Sequence, residues 1–156
     1  MTFPAGRWRA RWIWAGGIIR GRHTVALRRA FDLDVVPTSV PARLSSIARH
    51  TLFVNGVEVA RGPVRSSPRR QAYDVVDLAP HLRPGTNVLA ALAWMYADAM
   101  PWWEPPPPAN DTRFGAFVLE ARLGDEWLVS DASWDAVALD GWTGTTGAGV
   151  SARGIE

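Results

Sequence analysis

TLFVNGVEVARGP, Thr51–Pro63, followed by YDVVDLAPHLRPGTNVLAALA, Tyr73–Ala93, is the stretch that decides the fold class. In TLFV-NG-VEVA two short apolar runs flank Asn55-Gly56, and that dipeptide supplies the two positive-φ residues of a type I′ turn. The pattern predicts a β-hairpin with a two-residue loop. Downstream, Asp77 is placed to cap a short helical turn over Leu78 to Leu82. Pro84-Gly85 closes that turn, and a strand-like apolar run begins at Asn87.

Outward from this stretch, apolar alternation of period two recurs, as half-buried strands require. In VALRRAFDLD, Val25, Leu27, Phe31 and Leu33 share one face while Arg28, Asp32 and Asp34 point the other way. In NVLAALAWMY both faces are apolar, which predicts a central strand covered on each side. FGAFVLEARLG places Phe117, Leu119, Ala121 and Leu123 inward, with Glu120 and Arg122 facing water; Gly124-Asp125 then turns into WLVSD. Helix-length periodicity is missing almost everywhere. Short strands punctuated by Gly and Pro predict an all-β antiparallel sandwich.

Composition sets limits. A chain of 156 residues fits one domain and buries enough surface to need no staple. Without cysteine, no staple through sulfur is available. The N-terminal MTFPAGRWRARWIWAGG lacks the apolar core of a signal peptide, and no run approaches the length needed to span a bilayer. These features predict a cytoplasmic protein with no membrane partner. All 17 basic residues are Arg; residues 1–83 hold 14 Arg against 5 acids, and residues 84–156 hold 3 against 10. Halves of opposite charge interleaved in one sandwich neutralise each other, so no nucleic-acid face is expected.

Two segments break the strand pattern. PWWEPPPPAND, Pro101 to Asp111, is a long connection of the kind that carries function, and its prolines hold it extended. The tail GWTGTTGAGVSARGIE loses periodicity after Trp142, giving a domain over residues 1–142 and a Gly-rich tail or linker over 143–156. The loop suggests a contact surface. Trp94 and Tyr96 close the central strand just before it, and with Trp102 and Trp103 they could form either a sugar-stacking platform or an interdomain interface. Arg65, in the run Arg61, Arg65, Arg69 and Arg70, and Asp111 are the polar candidates beside them.

Catalytic constellations are weak. His23, His50 and His81 have no metal-ligand spacing, so neither a metal nor a cofactor is expected. Ser66-Ser67 have no partnered His nearby, and no G-x-S-x-G occurs. Asp74, Asp77, Asp98, Glu104 and Asp111 are the carboxylates from which a glycosidase pair could be drawn.

The hairpin, turn and returning strand, together with RWIWA (Arg11 to Ala15), FDLDVVPTSVPARLSSIA (Phe31 to Ala48) and WLVSDASWDAV (Trp127 to Val137), follow a family order. Over residues 11 to 142 the chain resembles the N-terminal accessory domain of bacterial α-L-rhamnosidases, a jelly-roll, galactose-binding-like sandwich. The resemblance implies a domain that packs on a glycosidase catalytic domain, in cis or in trans, and contacts rhamnose-containing carbohydrate. It further implies that this chain alone is not an enzyme, because the family's hydrolytic carboxylates lie in a large α/α-barrel that 156 residues cannot hold. In this family pattern Trp12, Trp14 and Trp134 are expected in the core. Two alternatives stand beside that reading: a free-standing carbohydrate-binding module, and a protein-interaction module presenting the Pro-rich loop.

Overall fold

A computed structural model of the chain describes residues 3, 6–16, 23–47, 49–64, 70–95 and 115–140. Nine strands are described: β1 His23–Leu33, β2 Pro41–Ser46, β3 Arg49–Val54, β4 Val57–Gly62, β5 Asp74–Asp77, β6 Gly85–Met95, β7 Phe117–Leu123, β8 Glu126–Val129 and β9 Asp135–Leu139. They form two antiparallel sheets, one in the order β4-β3-β6-β1-β9 and the other β5-β2-β7-β8. Alternation places Val25, Leu27, Leu52, Val54, Leu89, Ala91 and Ala93 of the first sheet against Ala42, Leu44, Phe117, Leu119 and Ala121 of the second. The fold is the expected all-β sandwich. Among the described residues no helix is long and apolar enough to cross a membrane, which says nothing about membrane β-barrels.

The predicted hairpin is present. Asn55 (φ 51°) and Gly56 (φ 84°) join β3 to β4, with Val54 paired to Val57 and a register shift between Leu52 and Phe53. The Asn55 side chain also reaches beyond its own turn. Its Nδ2 donates to the His81 carbonyl and to Asn87 Oδ1, both at 2.9 Å, and its Oδ1 accepts from the Val88 N–H at 2.9 Å. The hairpin tip is thereby fastened to the start of β6.

At Asp77 the structure refines the expectation. The helical turn is a 3₁₀ helix, Ala79–His81, flanked by Leu78, while Asp77 ends β5. Its Oδ1 nevertheless accepts from the Ala79 N–H at 3.0 Å, as well as from Val40 N–H at 2.8 Å. The cap therefore comes from one residue further out, because Asp77 also ties β5 to the loop before β2. Gly85, with φ 84°, opens β6 and pairs with Leu33, so this strand begins two residues earlier than its apolar pattern suggests.

β6 is the central strand of its sheet, as predicted. Its outward side chains, Val88, Ala90, Leu92 and Trp94, are only half-buried, so the cover expected on that face is partial. The larger departure is Glu120. The expectation that it faces water fails: it is wholly buried, because residues 6–10 lie over the outer face of the second sheet.

Candidate functional site

The site begins with what fixes the N-terminal segment. Arg43 on β2 and Glu120 on β7 are cross-strand neighbours on the outer face of their sheet. Arg43 Nε donates to Glu120 Oε1 at 2.8 Å, and its NH2 lies 2.7 Å from the same oxygen. Glu120 Oε2 accepts the backbone N–H groups of Arg9 and Ala10 at 2.7 and 3.1 Å. The guanidinium also lies over the rings of Trp8 and Phe3, at 4.3 and 4.7 Å from their centroids. Further along, the Arg11 N–H donates to the Ser130 carbonyl at 2.8 Å, and Ser130 Oγ returns a bond to the Arg11 carbonyl at 2.7 Å. Ile13 then bridges Phe117.

This path brings Arg11 to Trp14 alongside the turn that connects β8 to β9. Between them lies an open cleft of about 510 Å³, lined by Arg11, Trp12, Ile13, Trp14, Gly16, Asp131, Ala132, Trp134 and Ala136. Two of its three tryptophans are fixed by their indole N–H groups. Trp14 Nε1 donates to His23 Nε2 at 2.9 Å, and Trp134 Nε1 donates to the Val129 carbonyl at 2.9 Å. Gly115 lets the Trp14 ring lie against the backbone, since a Cβ there would overlap it. Trp12 differs: it is 48% exposed, and among the described residues its N–H has no hydrogen bond. This corrects the expectation that Trp12 is core. Trp134, at 7% exposure, packs in the core as expected.

Asp131 supplies a charge at the cleft. Its Oδ1 accepts from the Ser133 N–H at 2.8 Å and from the Ser133 hydroxyl. These two bonds, with smaller help from Arg29 and Arg11, hold its carboxyl below the usual range against slight desolvation. The carboxylate is therefore ionised at neutral pH, and Arg11 and Arg29 balance it.

Of the contact residues expected from sequence, Trp94 is half-buried on the outer face of β6, beside Thr24 and Arg49, and does not line the cleft. Tyr96, Trp102, Trp103, Arg65 and Asp111 lie outside the described residues. The cleft residues were missed because strand alternation treats Trp12 and Trp14 alike. Only the segment's course over the second sheet leaves one of them exposed.

A second polar cluster carries hydrolase-like residue types. His50 Nδ1 sits 3.1 Å from Ser46 Oγ, and His50 Nε2 is 4.0 Å from Asp74 Oδ2. Ser46 and His50 are each 1% exposed, so no substrate can reach the hydroxyl. Burial, with a smaller contribution from Arg49, lowers the His50 pKa to about 4, leaving a neutral imidazole. Among the described residues no group of three or more His, Asp or Glu is placed to hold a metal ion.

Comparison with known proteins locates the chain. No family model matches the sequence, and comparison with curated proteins gives no match. Solved structures do match. A GH78 family rhamnosidase of Bacillus sp. GL1 is 31% identical, with a TM-score of 0.71, over 86% of this chain and 14% of its own. The chain resembles one domain of GH78 α-L-rhamnosidases. The α-L-rhamnosidase of Dictyoglumus thermophilum shares the fold of this rhamnosidase-like domain, with 16% identity, a TM-score of 0.65, and coverage of 83% of this chain and 16% of its own. A lectin of Pleurotus ostreatus shares it too, at 22% identity and TM-score 0.53, over 83% of this chain and 35% of its own. The rhamnosidase-like domain thus spans a small part, 13–16%, of the rhamnosidase chains it matches.

Proposed function

We propose that this chain is a non-catalytic accessory domain of an α-L-rhamnosidase-like glycoside hydrolase, packing on a catalytic domain in cis or in trans and contacting carbohydrate. The observation that carries this reading is proportion: 86% of the chain aligns with only 14% of the Bacillus rhamnosidase, at 31% identity. A piece that small leaves the bulk of such an enzyme to other domains.

The outer face of the five-stranded sheet supports the packing role. Cross-strand rows Leu139-Thr24-Trp94-Arg49 and Val137-Ala26-Leu92-Thr51-Arg61 run over it, uncharged up to the arginine that ends each row on β3 and β4. Val137 is 57% exposed there. On this face Thr24 and Thr51 are buried and Ala26, Leu92, Trp94 and Leu139 half-buried, so the apolar surface that supports docking is centred on Val137 and its half-buried neighbours. Contact with carbohydrate is a separable part of the reading, supported by the aromatic cleft.

The test mixes the chain with a Bacillus sp. GL1 rhamnosidase from which the matching segment has been removed, and follows co-elution. A complex that Leu92→Glu with Val137→Glu disrupts is the expected result. Hydrolysis of an aryl α-L-rhamnoside by the purified chain alone would refute the non-catalytic assignment.

A further inference from the structure

We infer that the cleft between Arg11–Trp14 and the 131–136 turn is a binding site for a single uncharged pyranose ring, which stacks on Trp12 and hydrogen-bonds to Arg11 and Asp131. This deepens the carbohydrate part of the proposed function and rests on it.

Three tryptophans shape the cleft. Trp14 and Trp134 have their N–H groups tied internally, so they form fixed walls. Trp12 is half exposed into the same cleft. A rigid aromatic plane open on one side suits a pyranose, whose axial C–H groups make an apolar face. The hydroxyls at the ring's edge need donors and acceptors together. Arg11 offers a guanidinium, and Asp131 offers an acceptor: its Oδ1 is engaged by Ser133, and among the described residues Oδ2 takes no hydrogen bond. The volume, about 510 Å³, lies within the range of small-molecule sites, roughly 300–1,000 Å³.

Charge narrows the ligand class. Arg29, whose NH1 donates to the Ser133 carbonyl at 2.9 Å, and Arg11 both act on Asp131. The cations are thus partly neutralised by a carboxylate in their midst. An anionic sugar would meet Asp131 and a cationic one would meet the arginines, whereas a neutral polyol meets matched partners. Ala132, Ala136 and Gly16 add small groups to the lining, leaving room beside the Trp12 ring.

The test uses two neutral sugars, L-rhamnose and N-acetylgalactosamine, titrated into the ¹⁵N-labelled full chain while the indole N–H resonances are followed. Trp12→Phe assigns the Trp12 signal. A saturable shift of that resonance by at least one sugar is expected, with affinity falling at least about tenfold in Trp12→Ala and in Asp131→Asn. Asp131→Asn keeps an oxygen for Ser133, so it serves should Trp12→Ala fail to fold. No shift up to tens of millimolar with either sugar overturns the inference, as does binding that survives both substitutions. The co-elution experiment is independent, so docking without sugar binding removes only this site and leaves the accessory role standing.

Discussion

Arg43 and Glu120 form an ion pair on the outer side of the smaller sheet, in register across β2 and β7, and the chain's own N-terminal segment shuts both away from water. A buried pair of this kind stabilises little compared with an apolar one, but removing one partner leaves a charge unmatched. Here the carboxylate has a second task, holding the Arg9 and Ala10 N–H groups. Glu120→Ala is therefore expected to cost about 3–5 kcal/mol in denaturant unfolding. It should also free the segment, so trypsin cleavage after Arg7, Arg9 or Arg11 is expected to accelerate under native conditions.

The β3–β4 turn makes a backbone prediction. Gly56 at φ 84° occupies a region that a β-branched residue reaches only with strain. Gly56→Val should lower stability by roughly 1–3 kcal/mol, read as a fall in thermal midpoint. Asn55→Gly keeps the turn but strips three side-chain bonds, leaving Asn87 and the Val88 N–H short of partners. A loss of about 1–3 kcal/mol is expected from that change.

His50 predicts acid sensitivity. Its folded pKa of about 4 lies below the ordinary 6.5, so between those values the unfolded chain binds a proton that the folded chain refuses. Stability is full above the unfolded value and falls as pH drops from about 6.5 toward 4, by up to about 3 kcal/mol. Asp74 acts in the opposite sense. Burial raises its pKa against the Val64 N–H bond, so the folded state takes up its proton first and recovers part of the loss at the acid end. Unfolding midpoints measured across this range should slope for the native chain and flatten for His50→Phe.

Gly115 supplies a steric prediction at the cleft wall. Because a Cβ there would enter the Trp14 ring, Gly115→Ala should push that ring outward and cost about 1–3 kcal/mol. The Trp14 indole resonance is expected to shift more than that of Trp134, showing that the wall moved rather than the whole core.

Much of this fold is written in local chemistry. Asn55-Gly56 specifies its turn because two positive φ angles are a property of those two residues. The alternation in Leu89, Ala91 and Ala93 specifies an inward face because side chains on a strand alternate. The same logic put Glu120 in water, and it failed there because alternation gives the face a residue occupies but not what covers that face. The cover is the segment around Arg9, 111 residues away in sequence.

The candidate site shows the same boundary. Sequence by itself determined an antiparallel sandwich, its hairpin, its central strand and its resemblance to a rhamnosidase domain, since each rests on neighbours within a few residues or on motif order. Tertiary structure alone decided that Trp12 is open while Trp134 is packed, and that Arg11 and Asp131 line one cleft. Those facts depend on the hydrogen bonds between Arg11 and Ser130, one backbone to backbone and one from the Ser130 hydroxyl, which join segments that no local pattern relates.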